Sequence, residues 1–302
     1  MKNGTAKPLA LMGALLLLAF SLVGCDTTPP VFVPENDPSI GQLETSGLTY
    51  REVAEGYNAT VSHFETLFLR TYVRMVWQET RPDGSTTIRR EAGDGKFLFR
   101  APSDTVLTIE KISKVYLWAG SNASQYWLFD QVNDDHKVAY VGSYSAADPR
   151  GGSPGRRLPI AFRPDAMPYL LGLVALDPTL ESEVFLYEGQ YLIEPVGLGM
   201  RMLIDPNSFR PTRVDLLDAQ GWSVVVCQMS GRYGVEVEGL PGHRLPIVCE
   251  DAELFITGQQ SRLSIEMIAA TTSDRRIRDQ LFDLDTLIDA LEPDEVVDLD
   301  GG

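Results

Sequence analysis

The apolar positions of this chain switch between two periods. Tyr50, Val53, Ala54, Tyr57, Val61 and Phe64 recur at helical spacing, so residues 49–64 predict an amphipathic helix. From there the period is two. Leu67, Leu69, Val73, Met75 and Trp77 fall on one side of an extended chain, Arg70, Tyr72, Arg74 and Gln78 on the other, predicting a long half-buried strand. Pro82-Asp83-Gly84-Ser85 carries turn chemistry and predicts a hairpin into a strand over 86–91. Beyond Gly93-Asp94-Gly95, strands are expected over 96–100, 106–112, 115–119, 125–130 and 137–141. Connections this short force antiparallel neighbours.

Residues 147–159 read as a loop. Residues 163–176 open with Pro164-Asp165, continue through Met167, Tyr169, Leu170, Leu171, Leu173 and Val174, and predict a short apolar helix. Pro168 fits there only within the first turn. Strand character returns over 183–188, 190–195, 199–205, 211–218, 222–229, 233–238, 245–252 and 262–270. A closing helix over 274–291 places Ile277, Leu281, Leu284, Ile288 and Leu291 on one stripe. Nine carboxylates and no basic residue follow Arg278, which reads as a solvated, frayed end. The fold class is therefore mainly β (α+β). We expect a single strongly curved antiparallel sheet, an unclosed half-barrel, whose apolar face must be covered by the three amphipathic segments.

The start of the chain has a different character. A short basic opening (Lys2, Lys7) precedes an apolar run over 9–23, shorter than the ~20 residues a membrane-spanning helix needs. The run ends in Leu22-Val23-Gly24-Cys25, which resembles a bacterial lipobox. That resemblance implies cleavage before Cys25, a diacylglyceryl thioether on its sulfur and an acylated new N-terminus. The expected organisation is a signal peptide over 1–24, a Pro- and Asn-containing tether over 25–46, one folded domain over 47–292 and an acidic tail over 293–302. The expected location is the cell envelope, lipid-anchored to a membrane facing the periplasm.

Net charge narrows the partners. The chain carries −16, and removing Lys2 and Lys7 with the leader leaves 24 basic against 42 acidic side chains. Such a surface repels phosphate backbones, so nucleic acid is not expected as a partner. Of the three cysteines, Cys227 and Cys249 remain once Cys25 is lipidated. They read either as a disulfide between neighbouring strands or as two buried thiols.

Several local patterns resemble the lipoprotein-carrier and lipoprotein-receptor superfamily (LolA/LolB). Tyr57-Asn58-Ala59 leads from the helix into the strand beginning at Leu67. Gly95-Lys96-Phe97, Ala101-Pro102-Ser103, Gly120-Ser121-Asn122 and Tyr126-Trp127 follow. Met202-Leu203-Ile204-Asp205 then runs into Pro211-Thr212-Arg213-Val214. The resemblance covers most of 48–272 and implies an apolar concavity for acyl chains with helices as a lid. Independently, the inner face of a half-barrel is too wide for its own side chains to fill. The expected lining is Leu69, Val73, Met75, Phe97, Phe99, Met202, Ile204, Val214 and Leu216, with Leu263, Ile265 and Met267, and with Tyr169, Leu170 and Leu173 from the apolar helix. No short loop in the sequence stands out as presenting an exposed leucine to a membrane.

Catalytic chemistry is not expected. Gly151-Gly152-Ser153-Pro154-Gly155 fits G-x-S-x-G, but lies in a loop and lacks the strand-to-helix context of a nucleophile elbow. His63, His136 and His243 are too dispersed for a zinc site, and no cofactor or metal is implied. The sequence thus suggests a lipid-anchored binder of lipid or lipoprotein acyl chains: a carrier, receptor or sensor. The competing expectation is a structural or interaction lipoprotein, engaging other envelope proteins around a sealed, ligand-free core.

Overall fold

Thr49 starts the first helix. Its hydroxyl accepts from the Glu52 N–H at 3.3 Å, and the Glu52 carboxylate accepts from the Thr49 N–H at 2.8 Å, a reciprocal capping box. Helix α1 (Tyr50–Val61) then buries Tyr50, Val53, Ala54, Tyr57 and Val61 along one stripe, as its periodicity predicts. The computed structural model describes residues 43–80, 85–111, 114–133, 136–144, 152–153, 156–157, 163–237, 246–259, 261–272 and 274–300. All lie within one compact unit, Val31–Gly302. The leader, Cys25, most of the tether, residues 82–84 of the turn and His243 lie outside the described residues.

In chain order, β1 (Glu44–Thr45) precedes α1, and six strands follow it: β2 (Thr66–Thr80), β3 (Thr86–Arg100), β4 (Asp104–Lys111), β5 (Lys114–Ser121), β6 (Gln125–Asp130) and β7 (Val138–Ser143). A minute hairpin, β8 (Gly152–Ser153) with β9 (Arg156–Arg157), places Ser153 on a two-residue strand. A 3-10 turn (Pro164–Ala166) leads into α2 (Met167–Leu170). Next come β10 (Val184–Tyr187), β11 (Gln190–Ile193), β12 (Met200–Ile204), β13 (Pro211–Leu217) and β14 (Ser223–Ser230). The pair β15 (Tyr233–Gly234) and β16 (Ile247–Val248) forms its own small ribbon. The chain closes with β17 (Asp251–Ile256), β18 (Arg262–Thr271), α3 (Leu284–Leu291) and β19 (Glu295–Asp298).

Fifteen strands form one sheet in the order β1-β10-β11-β12-β13-β14-β17-β18-β2-β3-β4-β5-β6-β7-β19. It is two antiparallel meanders joined where β18 pairs with β2, and it does not close into a barrel. Successive residues point to opposite faces. Leu67, Leu69, Phe97, Phe99, Tyr126 and Leu128 enter the main core with α1, whereas Phe68, Leu98, Trp127 and Phe129 face the other way.

Four expectations need correction. First, residues 86–100 are one strand, not two separated by a glycine turn. A Cβ on Gly95 would sit 2.5 Å from Thr71 Oγ1, and one on Gly93 would press into the Glu110 carbonyl. These glycines serve close strand approach, not chain reversal. Second, the apolar helix after Arg163 is a single α-turn. Gly172 takes φ +62, its N–H bonds to Tyr169 O and the Leu173 N–H bonds to Pro168 O, which ends the helix.

Third, the closing helix is broken. Two 3-10 turns precede α3, whose N-cap Asp283 accepts from the Thr286 N–H at 2.8 Å. Its apolar side chains cover the outer face: Phe282 with Phe68, Leu98 and Val106, and Leu284 and Leu287 with Trp127, Phe129 and Ala139. Only α1 and the α2 segment therefore serve the inner face. Fourth, the acidic end is no frayed tail. Strand β19 pairs in parallel with β7, Val296 opposite Ala139, and Leu299 is fully buried. The Asp294 carboxylate accepts from the Lys137 N–H at 2.8 Å and that of Asp300 from the Ser143 N–H, while the backbone of β19 completes the sheet edge.

The cysteines also resolve. Cys227 and Cys249 are both free and buried. Cys227 lies in β14 while Cys249 sits between β16 and β17, and the register sets Leu254 opposite Cys227. Burial pushes the Cys227 thiol well up and that of Cys249 up to about 11. We expect both to resist a water-soluble thiol reagent in the folded chain and to react fully in denaturant. Reductant should leave Tm unchanged; a fall of several degrees would reveal a bond.

Candidate functional site

The inner face is built from strand residues two apart and is closed in the middle by helix. Of the expected lining, Leu69, Val73, Phe97, Phe99, Leu170, Leu173, Met202, Ile204, Val214 and Leu216 are all buried in one core cluster with α1, and Tyr169 packs against it half-buried. Ile265, Met267 and Leu263 belong to the same cluster. The α1 helix and the 167–176 segment are tied together. The Asn58 side-chain amide donates to Leu176 O (2.7 Å) while its oxygen accepts from the Leu176 N–H (2.8 Å). Tyr57 Oη donates to Val174 O at 2.9 Å. Gly56 lies so close to the Phe209 ring that a Cβ there would meet Cδ1 at 2.5 Å. Helix and ring leave no space between them.

The space lies elsewhere, at one end of the strands. An apolar hollow of about 70 Å³, partly open to solvent, is lined by Met75 and Trp77 of β2, Leu117 of β5, Leu128 of β6, Val225 of β14, Leu254 and Ile256 of β17 and Leu263 of β18. That volume is well below the ~300–1,000 Å³ of typical small-molecule sites, so an acyl chain here would lie along an open groove or part the lining side chains. Asp130 and Arg262 mark its polar edge. Of the twelve residues first expected to line a cavity, only Met75 reaches it; Leu263 does so from the wider set.

Sequence reasoning missed Leu117, Leu128, Val225, Leu254 and Ile256 as lining. The signal was available in the strand alternation: Val225 and Cys227 share a face, as do Leu254 and Ala252. Helix α1 is only twelve residues long, and apolar strand ends outrun what it can cover.

The rim at this end is apolar as well. The register runs from Met200 to Leu216 to Val225 to Ile256, so the loop before β12 and the turn before β14 stand at the same end as the hollow. Val196 in that loop is 64% exposed and Trp222 in that turn 63%. Leu198 is exposed beside Val196, which corrects the expectation that no short loop presents a leucine. Gly197 and Gly199 take φ +85 and +59, and this turns the two aliphatic side chains outward on a tight loop.

Polar clusters in the core are tied to neighbours. The Arg163 guanidinium stands 5.7 Å from the Tyr126 ring and 3.1 Å from Asp165, whose carboxyl burial pushes up. His63 is exposed and His136 faces Glu295 at 3.4 Å. Among the described residues, no three His, Cys, Asp or Glu side chains gather so as to hold a metal ion, and no helix is long and apolar enough to cross a membrane.

Several solved structures overlap most of the chain. The chain is similar to an outer membrane lipoprotein-sorting protein domain from Vibrio parahaemolyticus at 10% identity and TM-score 0.49, covering 78% of this chain and 97% of that one. It is also similar to a LolA superfamily protein from Nitrosomonas europaea, at 11% identity and TM-score 0.43, covering 79% and 99%. A DUF1329 family protein from Desulfovibrio piger overlaps at 13% identity and TM-score 0.43, covering 78% and 98%. At these identities each likeness is one of fold alone. No protein-family model matches the chain, and no curated protein sequence matches it.

Proposed function

We propose that this chain is a lipid-anchored envelope protein, attached through Cys25 to a membrane facing the periplasm, that binds lipid or lipoprotein acyl chains and carries, receives or senses them. The observation that supports this most is the apolar lining of the partly open hollow at the helix-free end of the half-barrel. An acyl chain entering there exchanges water for Trp77, Leu117, Val225 and Ile256, at roughly 0.8 kcal/mol per buried methylene. Exposed Val196, Leu198 and Trp222 beside the opening offer an apolar path from a bilayer. The reading includes no catalytic step, cofactor or nucleic-acid partner.

One observation favours a second reading. The centre of the concavity is filled by α1 and locked by the Asn58–Leu176 pair, as suits a structural or interaction lipoprotein with a sealed core.

Co-purification separates the two. Residues 26–302, exported behind an ordinary secretory signal and analysed by native mass spectrometry, should carry acyl-chain material near one per chain. Ile256→Arg, which places a charge in the hollow, should release it while leaving the fold intact. A clean, stable protein that also refuses added fatty acid would leave only the sealed-core reading.

A further inference from the structure

At the opposite ends of strands β13 and β14 from the hollow lies a second cleft of about 250 Å³, bordered by Asp205, Arg210, Ser230, Arg232 and Cys249. Arg210 is unusual among the charged groups of this protein. Its residue is only 7% exposed, and among the described residues its one side-chain hydrogen bond goes from Nη1 to the Thr60 hydroxyl at 3.0 Å. That hydroxyl in turn donates to Tyr57 O at 2.7 Å in the last turn of α1. A helix end supplies about half a negative charge at most.

The neighbouring acids do not complete the balance. Asp205 is engaged with Arg232 at 2.8 Å, and hydrogen bonds from the Asn207 N–H and the Ser208 hydroxyl hold its carboxyl below the usual range. That pair cancels itself. Burial pushes the Cys249 thiol up to about 11 and the Tyr57 hydroxyl higher still, so both are neutral at pH 7. Arg210 therefore keeps a buried positive charge with no anionic partner among the described residues, and the residue lines the open cleft with N–H donors beyond the one given to Thr60. A buried charge without a counter-ion is costly. A planar guanidinium fork is also the side chain best matched to a tetrahedral oxyanion.

We propose that this cleft is an oxyanion site, in which Arg210 binds a phosphate-class group with the Ser230 hydroxyl at its edge. The site does not depend on the acyl-chain reading, since it lies at the other end of the strands. Two sources share the chemistry, free phosphate and a lipid phosphate headgroup.

The test uses the full chain in a neutral detergent. Titration with inorganic phosphate should show saturable binding in calorimetry and raise Tm by several degrees, with no such rise in chloride at matched ionic strength. Arg210→Met should abolish both effects while folding at least as stably in phosphate-free buffer, because it removes the uncompensated charge. Arg210→Lys keeps the charge but not the fork and should weaken binding about tenfold; it also serves if the methionine variant does not fold. Short-chain phosphatidic acid, compared with short-chain phosphatidylcholine, identifies the source. Binding at least tenfold tighter than inorganic phosphate and lost in Arg210→Met points to a headgroup; equal binding points to the free ion. Absence of a phosphate response, an equal response to chloride, or unchanged binding in both variants would overturn the site.

Discussion

Gly93→Val is expected to cost about 3 kcal/mol or more, enough to remove most of the stability of a domain this size. The added side chain would meet the carbonyl oxygen of Glu110, a backbone atom that no rotamer change can move aside. Gly93 pairs with Val73 on β2, next to where β3 and β4 run close together, so the strain falls in the middle of the first meander. Urea unfolding followed by tryptophan fluorescence measures it directly. A loss under about 1 kcal/mol would mean that the strands have room to part, and the close-approach account of this glycine would fail.

Phe97→Ala is the second large effect. Phe97 is fully buried on the inner face, in register with Leu69 on one side and Leu107 on the other. Truncation should cost about 3–5 kcal/mol, combining lost burial with a cavity that a rigid sheet cannot collapse around. The contrast with Ile256→Arg is informative. Ile256 borders space already open to solvent, so its substitution should cost far less stability while removing the bound chain. If both substitutions destabilised equally, the hollow would be core and not site.

Much of this architecture was written in the periodicity. The stripe of α1, the alternation of β2 and the order of the two meanders follow from residue spacing, because a half-buried strand or helix has to repeat its apolar side chains. The readings that failed share a cause: a residue with two structural uses. Gly93 and Gly95 look like turn residues but serve close packing. Asp283 interrupts an unbroken helical stripe because it prefers to cap, splitting one expected helix into turns and α3. The acidic end pairs with β7 through its backbone, and its Asp294 and Asp300 carboxylates accept from backbone N–H groups at the two ends of that strand.

The site was harder to read for a related reason. Inner-face residues are identified by alternation, but alternation does not say how far a helix extends over them. Leu69 and Phe99 lie beneath α1, and Trp77 and Ile256 lie beyond it, yet all four look alike in the chain. Only the packed helix separates filled concavity from open hollow. Arg210 went unnoticed because an arginine before a Pro-Thr strand start carries no pattern; its meaning lies in the missing counter-ion.

The central claim is that acyl chains enter the helix-free end of the half-barrel. Photolabelling with a fatty acid bearing a diazirine near its methyl end tests this most directly, with labelled peptides located by mass spectrometry. The account predicts labels concentrated at Met75–Trp77, Val225, Leu254–Ile256 and Leu263, displaced by excess unlabelled fatty acid and absent in Ile256→Arg. Labels scattered over the outer surface, or none displaced by competitor, would contradict it.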